Sequence, residues 1–131
     1  MEAVHLPGHT PGQCGYYDHH NHTIFIGDTS GIGGAQPGEP YGEYCRVTAL
    51  RNALKKLQPR FSEIQGVFPG HGMLDQSSVT LQYLLDAAEA VIAHPDRYDS
   101  RREFVRNGKT VVTYTKNIYQ GSAIRYKPEN V

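Results

Sequence analysis

The chain has 131 residues, of which 13 are Lys or Arg, 13 are Asp or Glu, two are Cys and 38% are apolar. This length is enough for one self-supporting domain, and the apolar content excludes a disordered polar chain. The balanced charge argues against a nucleic-acid or membrane partner, and the low cysteine content argues against a disulfide-rich secreted scaffold. With no apolar run of ~18 residues and no secretory leader, we expect a soluble, cytoplasmic protein.

The first third of the chain is predicted to be rich in β-structure. Residues 3–6 alternate in polarity and read as a strand that runs into a Pro- and Gly-rich turn. Residues 14–17 and 23–26 are aromatic or branched and flank a polar stretch, which predicts a β-hairpin. Glycines and prolines between positions 29 and 42 predict a surface loop, with a flexible lid near Asp28.

The remaining residues alternate between helical and extended patterns. Apolar residues at helical spacing predict an amphipathic helix over 44–57, followed by a buried strand over 64–68. A second helix, capped by Asp75 or Ser77, is predicted to reach residue 92 with one apolar stripe. In the tail, Asn107-Gly108 predicts a hairpin within a β-rich segment over 101–127. The order of strands and helices predicts an α/β layer and one domain over 1–131.

Three polar residues follow predicted strands, namely His9, Asp28 and His71. Strand ends of an α/β sheet converge on one edge, and imidazole together with carboxylate suits zinc, manganese or iron. The flanking glycines let the backbone pass close to an ion. The alternative for any one of these residues alone is an ordinary turn or cap residue.

Three short strings around these residues resemble the last three metal motifs of the metallo-β-lactamase superfamily. They are Leu6-Pro7-Gly8-His9-Thr10-Pro11-Gly12, Ile26-Gly27-Asp28-Thr29 and Phe68-Pro69-Gly70-His71-Gly72. The motif-bearing part spans residues 3–94, and the β-rich tail resembles the closing strands of some bacterial members. The resemblance implies a fold that is half of an αββα sandwich, as a single partial domain.

The resemblance also implies roles for these residues in a metal-dependent hydrolase. His9 would bind a first metal ion and His71 a second, while Asp28 would bridge the two and orient hydroxide. Up to two divalent ions are expected, zinc first and iron or manganese as alternatives, acting on a small-molecule ester, thioester, lactam or phosphodiester. Thr10 could support His9 through a hydrogen bond.

The first motif of that superfamily, His-x-His-x-Asp-His, does not occur in this sequence. His20 and His22 have the right spacing, but we expect them in a solvated hairpin turn away from the metal edge. Three ligands divided between two ions leave each ion with two, so we expect weak or no hydrolysis by this chain alone. The apolar stripe of the second helix and the inner face of the strands are expected to need a partner, either a second copy or an N-terminal half.

Two other functions stay open on the sequence alone. The first is a non-catalytic half-fold that serves as an interaction or oligomerisation module, with a relic or weak metal site. The second is an enzyme with Cys14 or Cys45 as nucleophile, although reduced core thiols explain these residues more simply.

Overall fold

A computed structural model describes residues 1–71, 76–118 and 122–131, which form an α+β arrangement of two sheets and two α-helices. The first sheet has the order β1 (Glu2–His5), β2 (Cys14–Asp18), β3 (Thr23–Gly27), β4 (Gly66–Pro69) and β5 (Gln76–Ser77). The second sheet has the order β6 (Ser100–Arg106), β7 (Lys109–Asn117) and β8 (Ala123–Tyr126). The helices are α1 (Val47–Leu57) and α2 (Val79–Ala93), and short 3-10 turns cover Gly42–Tyr44, Gln58–Glu63 and Pro128–Asn130.

The predicted elements are confirmed, but some of their bounds differ: α1 begins at Val47 and not at residue 44, β4 begins at Gly66 and not at residue 64, and the start of α2 also changes. Strands β2 and β3 form the expected antiparallel hairpin, and the Asn107-Gly108 turn adopts positive φ angles of 52° and 73°, which favour a tight β-hairpin. Ser77, a predicted cap of α2, pairs in β5 instead, and Ser78 stands at the cap position without a side-chain hydrogen bond. The alternative cap, Asp75, lies outside the described residues.

The core lies on one face of the first sheet, under both helices. Ile24 and Ile26 point into it, whereas Phe25 between them points outward, as the two-residue period of a strand requires. The expectation that the apolar stripe of α2 needs a partner is wrong, because α1, β8 and the sheet share its core. Five of its six predicted residues are at most 3% exposed, namely Leu81, Leu84, Leu85, Ala88 and Val91, and the sixth, Ile92, is partly buried.

An aromatic row, made of Tyr16, Phe25 and Phe68, crosses the opposite face of the first sheet. The three residues are direct neighbours on β2, β3 and β4. Phe25 and Phe68 stack with their ring centroids 5.2 Å apart, while Tyr16 and Phe25 are 51% and 42% exposed. In the part of the chain that the structure describes, Tyr16 and Phe25 are therefore exposed on this sheet face, whereas the apolar stripe of α2 is packed in the core.

The β-rich tail contributes to the same core as the first sheet. Ile124 and Tyr126 of β8 are completely buried, and the Tyr126 hydroxyl donates a hydrogen bond of 2.8 Å to the Pro95 carbonyl. Burial raises the pKa of this phenol, with a smaller contribution from Tyr114. Within the described ranges, neither helix is long and apolar enough to span a bilayer.

Candidate metal centre

The sheet topology brings the three predicted ligands to one edge. Strand β1 is antiparallel to β2, β2 is antiparallel to β3, and β3 is parallel to β4. Strands β1, β3 and β4 therefore run in the same direction, and their carboxyl ends lie on the same side. His9, Asp28 and His71 follow these three ends, as the sequence predicted.

Asp28 lies between the two histidines and directs one carboxylate oxygen toward each. Its Oδ2 is 3.9 Å from Nε2 of His9, and its Oδ1 is 3.3 Å from Nε2 of His71. The Asp28 and His9 side chains are 37% and 42% exposed, and that of His71 is 88% exposed. The arrangement is accessible from solvent and places a carboxylate where it could be shared.

The His9 ring is oriented by a backbone carbonyl. Its Nδ1 donates a hydrogen bond of 2.7 Å to the carbonyl oxygen of Gly31, and its Nε2 lies toward the Asp28 carboxylate. The sequence indicated Thr10 as a hydrogen-bond partner that could support His9. Instead, the Thr10 side chain is exposed, and the Gly31 carbonyl accepts the hydrogen bond from the imidazole. A fixed tautomer of this kind is how metal-ligating histidines are usually prepared.

Gly70 lets β4 approach Asp28 closely. The Gly70 amide donates to the Gly27 carbonyl at 2.9 Å, directly beside the carboxylate. A Cβ atom at position 70 would lie 2.5 Å from Oδ1 of Asp28 and 3.2 Å from the Gly27 carbonyl carbon. A side chain at this position is therefore incompatible with the observed placement of Asp28.

The donor atoms suit a divalent metal, but not as a complete site for one ion. Imidazole nitrogens and a carboxylate are ligands that zinc, iron and manganese accept. Among the residues that the structure describes, however, no three His, Cys, Asp or Glu side chains are placed to hold a single ion together. The geometry thus pairs Asp28 with each histidine separately and does not gather all three around one point.

The loop after Asp28 is anchored at its start and is not a free lid there. Thr29 and Ile32 are 3% and 6% exposed. The Ile32 amide donates to the Arg125 carbonyl at 2.7 Å, and the Arg125 amide donates to the Ser30 carbonyl at 2.8 Å. Strand β8 therefore holds the segment that contains Asp28 and Gly31, whose carbonyl accepts the hydrogen bond from His9. No pattern in the sequence predicts this pairing between distant segments.

His20 and His22 lie at the far end of the β2–β3 hairpin from Asp28. Both are exposed, and the turn is organised by the Asp18 carboxylate, which accepts the backbone amide of His20 at 2.9 Å. Hydrogen bonds, first of all from the Asn21 side chain, lower the pKa of Asp18. The prediction of a solvated turn away from the metal edge is confirmed.

The two cysteines are unpaired thiols. Cys45 is completely buried, and the Sγ of Cys14 contacts the Gly12 carbonyl at 3.6 Å. His5 is the cross-strand neighbour of Cys14, but its Nε2 donates to the Pro11 carbonyl at 2.7 Å. Among the residues that the structure describes, neither thiol has a hydrogen bond to a histidine, which a cysteine nucleophile needs.

Two cavities border these elements. One of about 210 Å³ adjoins the candidate centre and is lined in part by Asp28, His71 and Arg125. A larger one of about 430 Å³ lies between β1 and α1 and contains none of the three predicted ligands. The smaller cavity is therefore the one that adjoins the predicted ligands, and its lining includes Arg125, which no pattern in the sequence connects with them.

Comparison with known proteins gives one informative likeness. A segment of 73 residues is 38% identical to hydroxyacylglutathione hydrolase GloC of Haemophilus influenzae. The segment makes up 55% of this chain and 33% of that protein, so the chain matches only about a third of that relative's length. No protein-family model and no solved structure matches the chain. What these findings support is a partial likeness to a hydrolase.

Proposed function

We propose that this chain is the C-terminal half of a metal-dependent hydrolase of the metallo-β-lactamase superfamily. Residues 1–131 would form one partial domain that contributes His9, Asp28 and His71 to a two-metal centre. The observation that carries the proposal is the Asp28 carboxylate, with one oxygen toward each imidazole. The motif resemblance and the partial likeness to a hydrolase support the same class of reaction.

Each side chain has a distinct part in this proposal. His9 and His71 would each hold one ion through Nε2, and Asp28 would contribute one oxygen to either side. Divalent ions, when bound, supply Lewis acidity toward a carbonyl or phosphoryl oxygen and lower the pKa of water. Zinc is the first expectation for this donor set, with iron or manganese next.

The exposed aromatic row supports an incomplete sandwich. In a sandwich of two sheets, residues that alternate with the helix-facing ones are buried against the second sheet. Tyr16, Phe25 and Phe68 have this alternation, yet Tyr16 and Phe25 are exposed and Phe68 is only partly buried. We infer that an N-terminal half, or a second copy of this chain, would cover them.

Metal analysis and reconstitution test the proposal. We expect the chain to bind Zn²⁺, and Asp28→Asn to weaken that binding more than His20→Ala, a control on the far side of the hairpin. Hydrolysis of a thioester or ester is expected only after a polypeptide that carries His-x-His-x-Asp-His is added. Zn²⁺ binding that Asp28→Asn leaves unchanged would contradict the proposed centre.

A second candidate is a non-catalytic interaction module, which the same aromatic row favours. In that case Tyr16→Ser together with Phe25→Ser would abolish self-association in sedimentation velocity, and metal would make no difference to it. Association that requires the metal ligands would count against this alternative.

A further inference from the structure

One edge of the first sheet ends at β1, and this edge can accept another strand. In an antiparallel ladder, hydrogen-bonded residues alternate along each strand. The Leu6 amide donates to the Gln13 carbonyl at 2.9 Å, so the alternate residue Val4 also bonds toward β2. Ala3 and His5 therefore direct their amides and carbonyls to the other side, where the described part of the chain supplies no strand. An unpaired edge of this kind is a template for pairing with a second chain.

Helix α1 runs beside the free edge, in the direction opposite to β1. Just before α1, the ring centroid of Tyr44 lies 6.1 Å from that of His5, at the end of β1. Just after α1, Arg60 donates to the Glu2 carboxylate at 2.8 Å, at the start of β1. The cavity of about 430 Å³ lies between these two elements. It forms a groove that is open along the free edge of β1.

The two ends of this groove carry opposite charges. Glu43, in the turn before α1, lines one end, and Lys56, in the last turn of α1, lines the other. Both side chains are exposed, and neither forms an ion pair within the described ranges. Between them α1 presents Ala49 and Ala53 to the groove, which leaves room for a close approach. A partner that runs in the reverse direction with the same charges would be complementary to this groove.

We propose that this partner is a second copy of the chain, whose β1 pairs antiparallel with β1 about a two-fold axis at Val4. In this register Ala3 lies opposite His5 of the partner subunit, and each such pair can exchange two backbone hydrogen bonds. The reversal of direction also brings Glu43 toward Lys56 of the partner subunit, once on each side of the axis. The resulting dimer has one continuous sheet, and it goes beyond the proposed hydrolase because it does not involve the metal centre.

Reversal of the two charges tests the pairing of the groove ends. Sedimentation velocity in the presence of a chelator, across about 1 µM to 1 mM protein, should show a dimer that forms with increasing concentration. We expect Glu43→Lys and Lys56→Glu each to raise the dissociation constant about tenfold or more, because each brings like charges together on both sides of the axis. The double variant should recover most of the lost affinity. Lys109→Glu, an exposed control on β7 outside the groove, should dimerise as the wild type does.

A backbone substitution tests the strand pairing directly. Ala3→Pro removes an amide that faces the free edge and leaves the bonds between β1 and β2 in place, and edge strands tolerate proline at such positions. We expect this variant to keep the far-UV circular dichroism of the wild type and to stay monomeric. In the wild type, hydrogen exchange of the Ala3 and His5 amides should slow as the protein concentration rises.

Several results would overturn the inference. They are a wild type that stays monomeric at every concentration, a double charge reversal that restores nothing, and an equal loss in Lys109→Glu. Dimerisation that Ala3→Pro leaves intact, but that Tyr16→Ser with Phe25→Ser abolishes, would assign association to the aromatic row instead.

The groove could also be filled by a strand of another polypeptide, and this outcome is distinguishable. If the Ala3 and His5 amides become protected only after a polypeptide with His-x-His-x-Asp-His is added, the second copy is not the occupant and the inference falls. The proposed hydrolase is tested separately, because the association assay contains a chelator and no substrate. Loss of Zn²⁺ binding in Asp28→Asn therefore bears on the metal centre alone, and that variant should dimerise as the wild type does.

Discussion

Gly70→Ala is expected to damage the candidate metal centre while leaving the fold largely intact. The added Cβ would lie 2.5 Å from Oδ1 of Asp28, closer than non-bonded atoms approach, so the carboxylate must withdraw by about 0.5 Å. Because the other oxygen of Asp28 faces His9, this movement disturbs both halves of the centre. Displaced supporting contacts typically cost ~10–100-fold in metal affinity, and we expect a loss in that range.

The loss of stability should be small by comparison. The Asp28 side chain is 37% exposed and can turn toward solvent, although the Gly27 carbonyl carbon at 3.2 Å has to yield slightly. We expect the free energy of unfolding of the metal-free protein to fall by ~1 kcal/mol. Chemical denaturation in the presence of a chelator measures this change separately from metal binding.

Competition with a chromogenic chelator for Zn²⁺ is the decisive assay. Gly12→Ala is the matched control, because a Cβ at Gly12 meets no atom within 4 Å. Gly12→Ala should bind Zn²⁺ as the wild type does. The reasoning is refuted if Gly70→Ala retains wild-type affinity, or if both alanine variants lose the same amount.

Two further predictions concern stability. Leu50 is completely buried between α1 and the sheet, so Leu50→Ala should lower the free energy of unfolding by ~3 kcal/mol. Lys56→Ala, on the exposed side of α1, should change it by less than ~0.5 kcal/mol. Equal effects of the two substitutions in urea denaturation would contradict the assigned core. The Arg60 guanidinium, aided by His19, holds the pKa of Glu2 at about 2, below its ordinary value of 4.5. The stabilisation from this carboxylate is therefore complete above pH 4.5 and is lost as the pH falls toward 2. NMR titration of the Glu2 carboxyl should show a higher midpoint in Arg60→Gln than in the wild type. An ordinary midpoint in the wild type would contradict the pairing.

The sequence was sufficient to predict that His9, Asp28 and His71 lie near one another, while their role in a metal site stays a prediction. His9, Asp28 and His71 each lie within four residues of the end of a strand, and parallel strands end at one edge of a sheet whatever their loops do. The Asn107-Gly108 turn was equally readable, because few residue pairs tolerate two positive φ angles. In each case the signal is local in the chain.

The features that the sequence did not predict depend on contacts between distant segments of the chain. The carbonyl that orients His9 belongs to Gly31, and a backbone acceptor leaves no mark in the sequence. Arg125 could not be assigned to the cavity before the pairing of β8 with the loop after Asp28 was known. The burial of the α2 stripe was misjudged for the same reason, because an apolar pattern shows that a face is covered but not by what.

The bridge between Gly31 and Arg125 has a consequence for biosynthesis. His9, Asp28 and Gly31 are made before β8, yet the carbonyl that orients the His9 ring lies between two residues whose backbones bond to that of Arg125. We expect a ribosome-bound nascent chain to form the β2–β3 hairpin soon after its residues emerge, because hairpin contacts are local. The His9 ring would become ordered only once β8 has left the exit tunnel, so ions that reach the emerging chain earlier would meet separate, unassembled ligands.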